Sequence, residues 1–375
     1  MYIINLFSMI KVNTLQRLFT AYFTIGKIFG EWFSTILTGL LLSFLKIIII
    51  IFNTFDSIFY SKKIKSKPKN TILIVGNPRS GTTFLQRFLS KNFGTGSELW
   101  EMIFPSIILQ KLIKPILPIL ERFSPTKHHS TVAHKTSLRS IETDDAAILF
   151  RYNDGFFLYG FILAWNKSDL FHWFDPKSRD TSDRDLKWLQ SIWSKKLFKS
   201  GQNYYFGKLF SLSANMPKFQ NDFKDNKILY MIRDPLELIP SGLSLLTGVL
   251  DKKFGFWNKS EKLKNIYLLR LYDALKELLI RFHDDWINDR IDKSRVKIIT
   301  FNRLMSDFDN LMSEILEFLE INKSEEVEKI IIDTAKKQKT FKSKHTYNLE
   351  KFGLSQEKIK KDFQKIYSTF LSGKF

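Results

Sequence analysis

Ile72-Leu73-Ile74-Val75-Gly76-Asn77-Pro78-Arg79-Ser80-Gly81-Thr82-Thr83, running on into Phe84-Leu85-Gln86-Arg87-Phe88-Leu89, decides how this chain folds. A short β-branched run ends in a Gly-rich turn, and the turn opens into an apolar stretch of helical period. That is the layout of a phosphate-binding loop. Backbone N–H groups at a helix start have no intrahelical acceptor, and the helix dipole adds partial positive charge there. Arg79, Ser80, Gly81, Thr82 and Thr83 are the candidate ligand-binding residues of the loop. The spacing follows G-x-x-x-x-G-K-[ST], but Thr82 stands where the lysine belongs. Without the lysine that reaches the β- and γ-phosphates, hydrolysis of ATP or GTP is disfavoured, and the loop must hold another anion.

Lys227-Ile228-Leu229-Tyr230-Met231-Ile232 reads as a second buried parallel strand. It ends in Arg233-Asp234-Pro235, and Leu236 to Leu246 reads as a helix carrying Ser241. Ligands of open α/β sheets bind beyond the carboxyl ends of the strands, so Arg233 and Ser241 can converge on one phosphate. The two motifs together resemble the sulfotransferase family, whose first loop has the form P-R/K-x-G-T-T and whose second is R-D-P followed by a serine. Arg79, Gly81, Thr82 and Thr83 match the first pattern; Arg233, Asp234, Pro235 and Ser241 match the second. The resemblance implies 3′-phosphoadenosine 5′-phosphosulfate as sulfuryl donor. Its phosphosulfate end would lie on the loop and its 3′-phosphate on Arg233 and Ser241. The tail from Lys344 to Leu354 again resembles bacterial-type members, so the likeness covers about Thr71 to Phe375.

Sulfuryl transfer needs a base for the acceptor hydroxyl, placed near the loop. Glu98 and Glu101 lie three residues apart, on one face if their segment is helical. In several branches of the resembled family a glutamate in this region is the base, which favours Glu101, before Phe104-Pro105, over Glu98. His134 and Glu142 are acceptor-site candidates, with capping and solvation as the plainer roles. Tyr204 to Lys208 reads as a strand with Lys208 at its end, positioned to offset charge on the transferring group together with Arg79. The family commonly follows this lysine with a proline and a histidine; here Leu209-Phe210-Ser211 follows, against histidine catalysis from this segment. His128, His129 and His134 lack a carboxylate partner at helix spacing, so no metal site is expected. Two rival readings are a P-loop kinase or nucleotide triphosphatase, which Thr82 opposes, and a membrane scaffold that has lost catalysis.

The chain has 375 residues and 58 Lys and Arg against 38 Asp and Glu, a net charge of +20. No zinc-finger spacing, ribonucleoprotein signature or basic zipper accompanies that charge, so nucleic acid is not an expected partner. A solvated surface and a basic cofactor cleft account for it. There are no cysteines, which excludes disulfides, iron–sulfur clusters and thiolate chemistry and favours a reducing compartment.

Strand and helix alternate from Thr71 to Leu319, with a last short strand at Val296 to Thr300, so the fold class is α/β with a P-loop-type parallel sheet flanked by helices. Ahead of it lies an N-terminal helical extension. From Asn13 to Thr38 the polar residues share one face of a single helix, while Leu18, Tyr22, Phe29, Trp32 and Phe33 cover the other. Gly39 to Phe52 is apolar all round except for Ser43 and Lys46, and five lysines fall between Lys62 and Lys69. The expected division is a membrane-associating segment 1–60, a basic linker 61–70 and a catalytic domain 71–375. The segment reads as an interfacial helix, as a span from about Phe33 to Phe52, or as a hairpin packed on the catalytic domain. Either membrane arrangement puts the lysines, and with them the catalytic domain, on the cytoplasmic side.

Overall fold

The structure, a computed structural model, describes residues 11–64, 68, 70–124, 136–340 and 348–373, the side chain of Lys63 apart. His128, His129, His134, His345 and the linker lysines Lys65, Lys67 and Lys69 lie outside the described residues. Four parallel strands, Thr71–Val75 (β1), Tyr205–Lys208 (β2), Ile228–Ile232 (β3) and Val296–Thr300 (β4), form one sheet in the order β2-β1-β3-β4. The helices that matter to the site are, in chain order, α1 (Thr14–Phe29), α2 (Trp32–Ile64), α3 (Thr82–Phe93), α4 (Leu99–Ile103), α5 (Ile107–Ile113), α6 (Leu117–Phe123) and α7 (Asp145–Tyr152). They continue with α8 (Ser182–Ser200), α9 (Pro235–Phe254), α10 (Glu261–Ile287), α11 (Phe301–Ser306), α12 (Phe308–Leu319) and α13 (Glu325–Thr340).

Every residue of β1 and β3 is buried, which is why both read as unbroken apolar runs. The pleat still sorts their side chains. Leu73, Val75, Tyr230 and Ile232 enter the larger core with α8, α9 and α10. Ile72, Ile74, Leu229 and Met231 enter the smaller one with α3, α12 and α13. The chain leaves β1 for β2 on one side and returns to β3 on the other. This reversal opens a crevice between the carboxyl ends of β1 and β3.

Asn13–Thr38 is not one helix. Asn13 caps α1 reciprocally with Gln16, each backbone N–H reaching the other's side-chain oxygen at 2.9 and 2.8 Å. Gly30, at φ 75°, ends it in the left-handed region that glycine tolerates best. The new helix α2 then doubles back, with the Trp32 ring lying where a Cβ on Gly26 would be 2.3 Å away. The periodicity continues through Gly30, so only the local backbone reveals the break.

The orientation of α1 also differs from what amphipathicity alone suggests. Part of its polar face points inward: Arg17 is 1% exposed, donates to the carbonyls of Tyr152 and Asn153 at 3.1 and 3.0 Å, and pairs with Asp154 at 3.3 Å. Thr24 accepts from Asn166 at 3.1 Å. Leu15, Leu18, Phe19 and Phe23 are exposed on the outside. Farther on, Asp56 of α2 is buried, accepting from the Ser106 hydroxyl (3.0 Å) and the N–H groups of Ile107 (2.8 Å) and Ile108 (3.1 Å), and pairing with Lys195 (2.9 Å). The N-terminal segment is therefore docked on the body built around the sheet, with Ala21, Ile28 and Phe29 of α1 joining its main core.

Asp154 also receives Arg179 at 2.6 Å and Arg184 at 3.0 Å. Burial pushes its carboxyl up, but the hydrogen bond and charge of Arg179, with Arg17 and Arg184, outweigh it and hold the group below its ordinary value. A folded-state pKa below the unfolded one adds stability above the unfolded value of about 4, lost as pH falls through the folded value. Asp154→Asn should cost ~3–5 kcal/mol in urea denaturation at pH 7, because three guanidiniums lose their shared counter-charge. It should also flatten the loss of stability below pH 4; an unchanged acid limb would contradict this linkage.

Candidate active site

The loop after β1 is held by close backbone approaches. A Cβ on Gly76, at φ 135°, would lie 2.4 Å from the carbonyl oxygen of Met231 at the end of β3. Arg79 itself has φ 77°, a left-handed conformation that costs a side-chain-bearing residue of order 1 kcal/mol or more. Asn77 pins the loop to α10 by donating to the Leu275 carbonyl at 2.8 Å. Ser80 is fully buried and donates to the Asn77 carbonyl at 2.7 Å, so the hydroxyl expected to face a ligand is used inside the turn. Gly81, at φ 95°, caps α3 without a side-chain hydrogen bond to the first-turn N–H groups. Thr82 is buried in that turn, and Thr83 is half-buried beside it.

Two side-chain clusters border the loop. In the first, Arg79 Nε donates to Ser241 Oγ at 3.0 Å, and Arg233 Nη1 donates to the Arg79 carbonyl at 2.9 Å. Arg233 also pairs with Glu237 at 2.9 Å and lies over the Phe301 ring, 4.2 Å from its centroid. The structure thus joins Arg79 from the β1 loop, Arg233 from the end of β3 and Ser241 from α9. Asp234 caps α9 by accepting from the Leu236 N–H at 2.9 Å, and Pro235 takes the first helical position, where its missing N–H leaves no bond unmade.

In the second cluster, Lys208 Nζ at the end of β2 donates to Thr83 Oγ1 at 2.8 Å. Burial pulls the Lys208 pKa down, and the nearby charge of Glu142 opposes the shift. Glu142 pairs with Arg87 at 2.9 Å, and Arg87 lies one turn beyond Thr83 on the same face of α3. In the sequence only its four-residue spacing from Thr83 marks Arg87. Beneath Lys208, Asp144 accepts from the Lys208 N–H at 2.9 Å and the Tyr205 hydroxyl at 2.7 Å. Burial pushes the Asp144 carboxyl up to about 7, with Tyr205 and the Lys208 N–H pulling the other way.

The two expected bases stand apart from both clusters. Glu101 is buried and paired with Lys196 at 2.6 Å and with Lys199, and it accepts the Glu98 N–H at 2.9 Å. Desolvation raises its pKa, but the two lysines outweigh burial and hold it below the usual range. Glu98 accepts from the Trp100 indole at 2.6 Å. Neither carboxylate hydrogen-bonds the loop, α3 or Lys208. The backbone of Ser97 and Glu98 instead runs beside Ile141 and Glu142, which brings Glu142 forward. Among the described residues, no group of three or more acidic or histidine side chains is placed to hold a metal.

The profile of the sulfotransferase family matches residues 71–325. The fold is similar to that of sulfotransferase STF1 from Mycobacterium tuberculosis H37Rv, with a TM-score of 0.69 at 15% identity over 93% of this chain and 90% of that one. It is also similar to sulfotransferase STF9 from Mycobacterium avium, with a TM-score of 0.66 at 14% identity over 85% of this chain and 81% of that one. Comparison with curated protein sequences finds no match.

The buried carboxyl under Lys208 gives the site a pH signature. A folded pKa raised to about 7 means that the native state keeps a proton the unfolded chain has released, so stability falls as pH rises from about 4 to about 7. Asp144→Asn mimics the neutral acid: its amide oxygen accepts the Lys208 N–H while its NH₂ donates to Tyr205, whose hydroxyl turns to Ser97, 2.8 Å away. Thermal denaturation at pH 5 and pH 8 should show the decline in the parent and little in the variant. An equal decline in both would place the titration elsewhere.

Proposed function

Because the chain belongs to the sulfotransferase family, we propose that it moves a sulfuryl group from 3′-phosphoadenosine 5′-phosphosulfate to the hydroxyl of an acceptor. The observation that carries this reading is the meeting of Arg79, Arg233 and Ser241 at the crevice between β1 and β3. The donor set fits the ligand: free helix N–H groups and guanidiniums suit phosphate oxygens, and the glycines admit close approach of the backbone. Arg233 and Ser241 hold the 3′-phosphate. Arg79, Gly81, Thr82, Thr83 and the first-turn N–H groups of α3 hold the 5′ end, Ser80 contributing through the turn it stabilises.

The donor, when bound, supplies its sulfuryl group on a phosphoric–sulfuric anhydride. As the acceptor oxygen bonds to sulfur and the anhydride oxygen leaves, Lys208 and Arg79 offset the charge gathering on the departing oxygen. Lys208 is held for this by Thr83 and by the Asp144 carboxyl below its backbone. The acceptor proton goes to Glu142, which Arg87 of α3 holds and whose charge acts on Lys208, rather than to Glu101 or Glu98. No metal is required, because a sulfuryl group carries less charge than a γ-phosphoryl group.

Membrane attachment belongs to the same reading. Trp32–Lys62 is long and apolar enough to cross a membrane, and the outer faces of α1 and α2 are apolar. The lysines that follow α2 in sequence suit an anionic leaflet, with the catalytic body in the cytoplasm.

Adenosine 3′,5′-bisphosphate should bind much more tightly than adenosine 5′-phosphate, since charge-assisted hydrogen bonds contribute ~1.5–3 kcal/mol each. Calorimetry on Arg233→Ala should find most of that difference gone; equal affinity of the parent for the two nucleotides would refute the 3′-phosphate assignment. Glu142→Gln should lower turnover with labelled donor by roughly 10²–10⁴ while bisphosphate binding survives. Full turnover in Glu142→Gln together with loss in Glu98→Gln would move the base to Glu98.

A further inference from the structure

Among the described residues 27 large apolar side chains are exposed, and their distribution is uneven. Eighteen lie on α1 and α2. Four more, Leu112, Ile116, Ile119 and Phe123, lie on α5, α6 and the single 3₁₀ turn Lys114–Ile116 that joins them. Their steps of four, three and four put them on one side of a continuous helical rod. The flanking side of that rod, Leu109, Ile113 and Leu117, packs against Ile48, Ile49 and Phe52 of α2. Lys111 also reaches the Tyr60 hydroxyl of α2 at 3.0 Å. The two exposed apolar surfaces therefore adjoin.

The fastening of α2 limits how it meets a bilayer. Its 33 residues extend ~50 Å at ~1.5 Å per residue, more than a hydrocarbon core of ~30 Å. Yet its start packs on Tyr22, Phe23 and Gly26 of α1, and its second half is held by the rod and by the Asp56 cap with Lys195. Carrying Trp32 to Phe52 across a bilayer would take α1, against which α2 doubles back, and its buried Arg17–Asp154 pair to hydrocarbon depth. Laying α2 flat leaves every one of these contacts in place. Charge favours lipid as the occupant: Lys62, Lys111, Lys114 and Arg122 are exposed along the border. Of the acids on these elements, Asp56 is buried and ion-paired, and Glu121 accepts the Leu138 N–H.

We propose that α1, α2 and the α5–α6 rod form one face embedded in a single leaflet of an anionic bilayer, with α2 in the membrane plane and the Leu112–Phe123 stripe as a second insertion point. This rests on the membrane attachment proposed above. An interfacial helix buries its apolar side ~5–10 Å into the headgroup and acyl boundary, and the polar inner side of α1 then faces the protein instead of water.

Because the chain has no cysteine, single labels are unambiguous. Phe33→Cys, Phe44→Cys and Ile119→Cys, each carrying an environment-sensitive fluorophore in the full chain, would be bound to phosphatidylcholine vesicles containing phosphatidylserine. Lipids brominated at defined depths should quench all three labels at the same shallow level. A Phe44 label at the bilayer centre, or an Ile119 label left in water while the chain sediments with vesicles, overturns the in-plane face and leaves attachment standing. A chain that fails to sediment with these vesicles overturns both. Ile119→Asp combined with Phe123→Asp should weaken vesicle binding at least about tenfold and leave binding of adenosine 3′,5′-bisphosphate unchanged. Parental vesicle affinity in that variant would also overturn the proposal.

Discussion

The site depends on how closely the loop leaving β1 can approach the end of β3. Met231 presents its carbonyl where a Cβ on Gly76 would lie 2.4 Å away, so only a glycine permits the contact. With it, Arg79 comes within hydrogen-bond reach of Ser241, and its carbonyl accepts from Arg233. A larger residue would force the loop out of the crevice and separate groups that lie more than 150 residues apart in sequence. The left-handed Arg79 belongs to the same arrangement: the backbone adopts a costly conformation to direct a guanidinium to the other motif.

The Lys208 side of the crevice relies on burial. A lysine out of water favours its neutral form, and the carboxylate of Glu142 opposes that shift. Asp144, still more deeply buried, spends its hydrogen-bonding capacity on Tyr205 and the Lys208 backbone, fixing where β2 ends. Lys208 and Thr83 are placed by a strand end and the first turn of α3, whereas Glu142 and Asp144 come from the segment leading into α7 and are fixed by Arg87, Tyr205 and the Lys208 backbone.

The N-terminal hairpin couples the body to its outer apolar face through a few polar anchors. Arg17 with Asp154, and Asp56 with the start of α5 and Lys195, join helices whose remaining surface is largely apolar. Buried ion pairs of this kind add little net stability over apolar packing, but they are strict about geometry. Here they set the rotation of α1 and α2 about their axes, and so which side of each helix faces outward.

The sequence by itself determined the α/β class, the four strands and the glycine turn that leads from β1 into α3, and it singled out Arg233 and Ser241. These rest on local signals: apolar runs of strand length, a glycine turn into a helix, and residue types at fixed offsets. It also located Lys208 at a strand end. Only the tertiary structure decided which carboxylate pairs with α3, because Glu98, Glu101 and Glu142 look alike as isolated residues. Their partners distinguish them: Lys196 and Lys199 hold Glu101, Trp100 holds Glu98, and Arg87 holds Glu142 beside the loop. The same holds for α1, where periodicity defined two faces but not which of them turned inward. That was decided by Asp154, contributed by a loop well over 100 residues away, whose charge draws Arg17 to the inside.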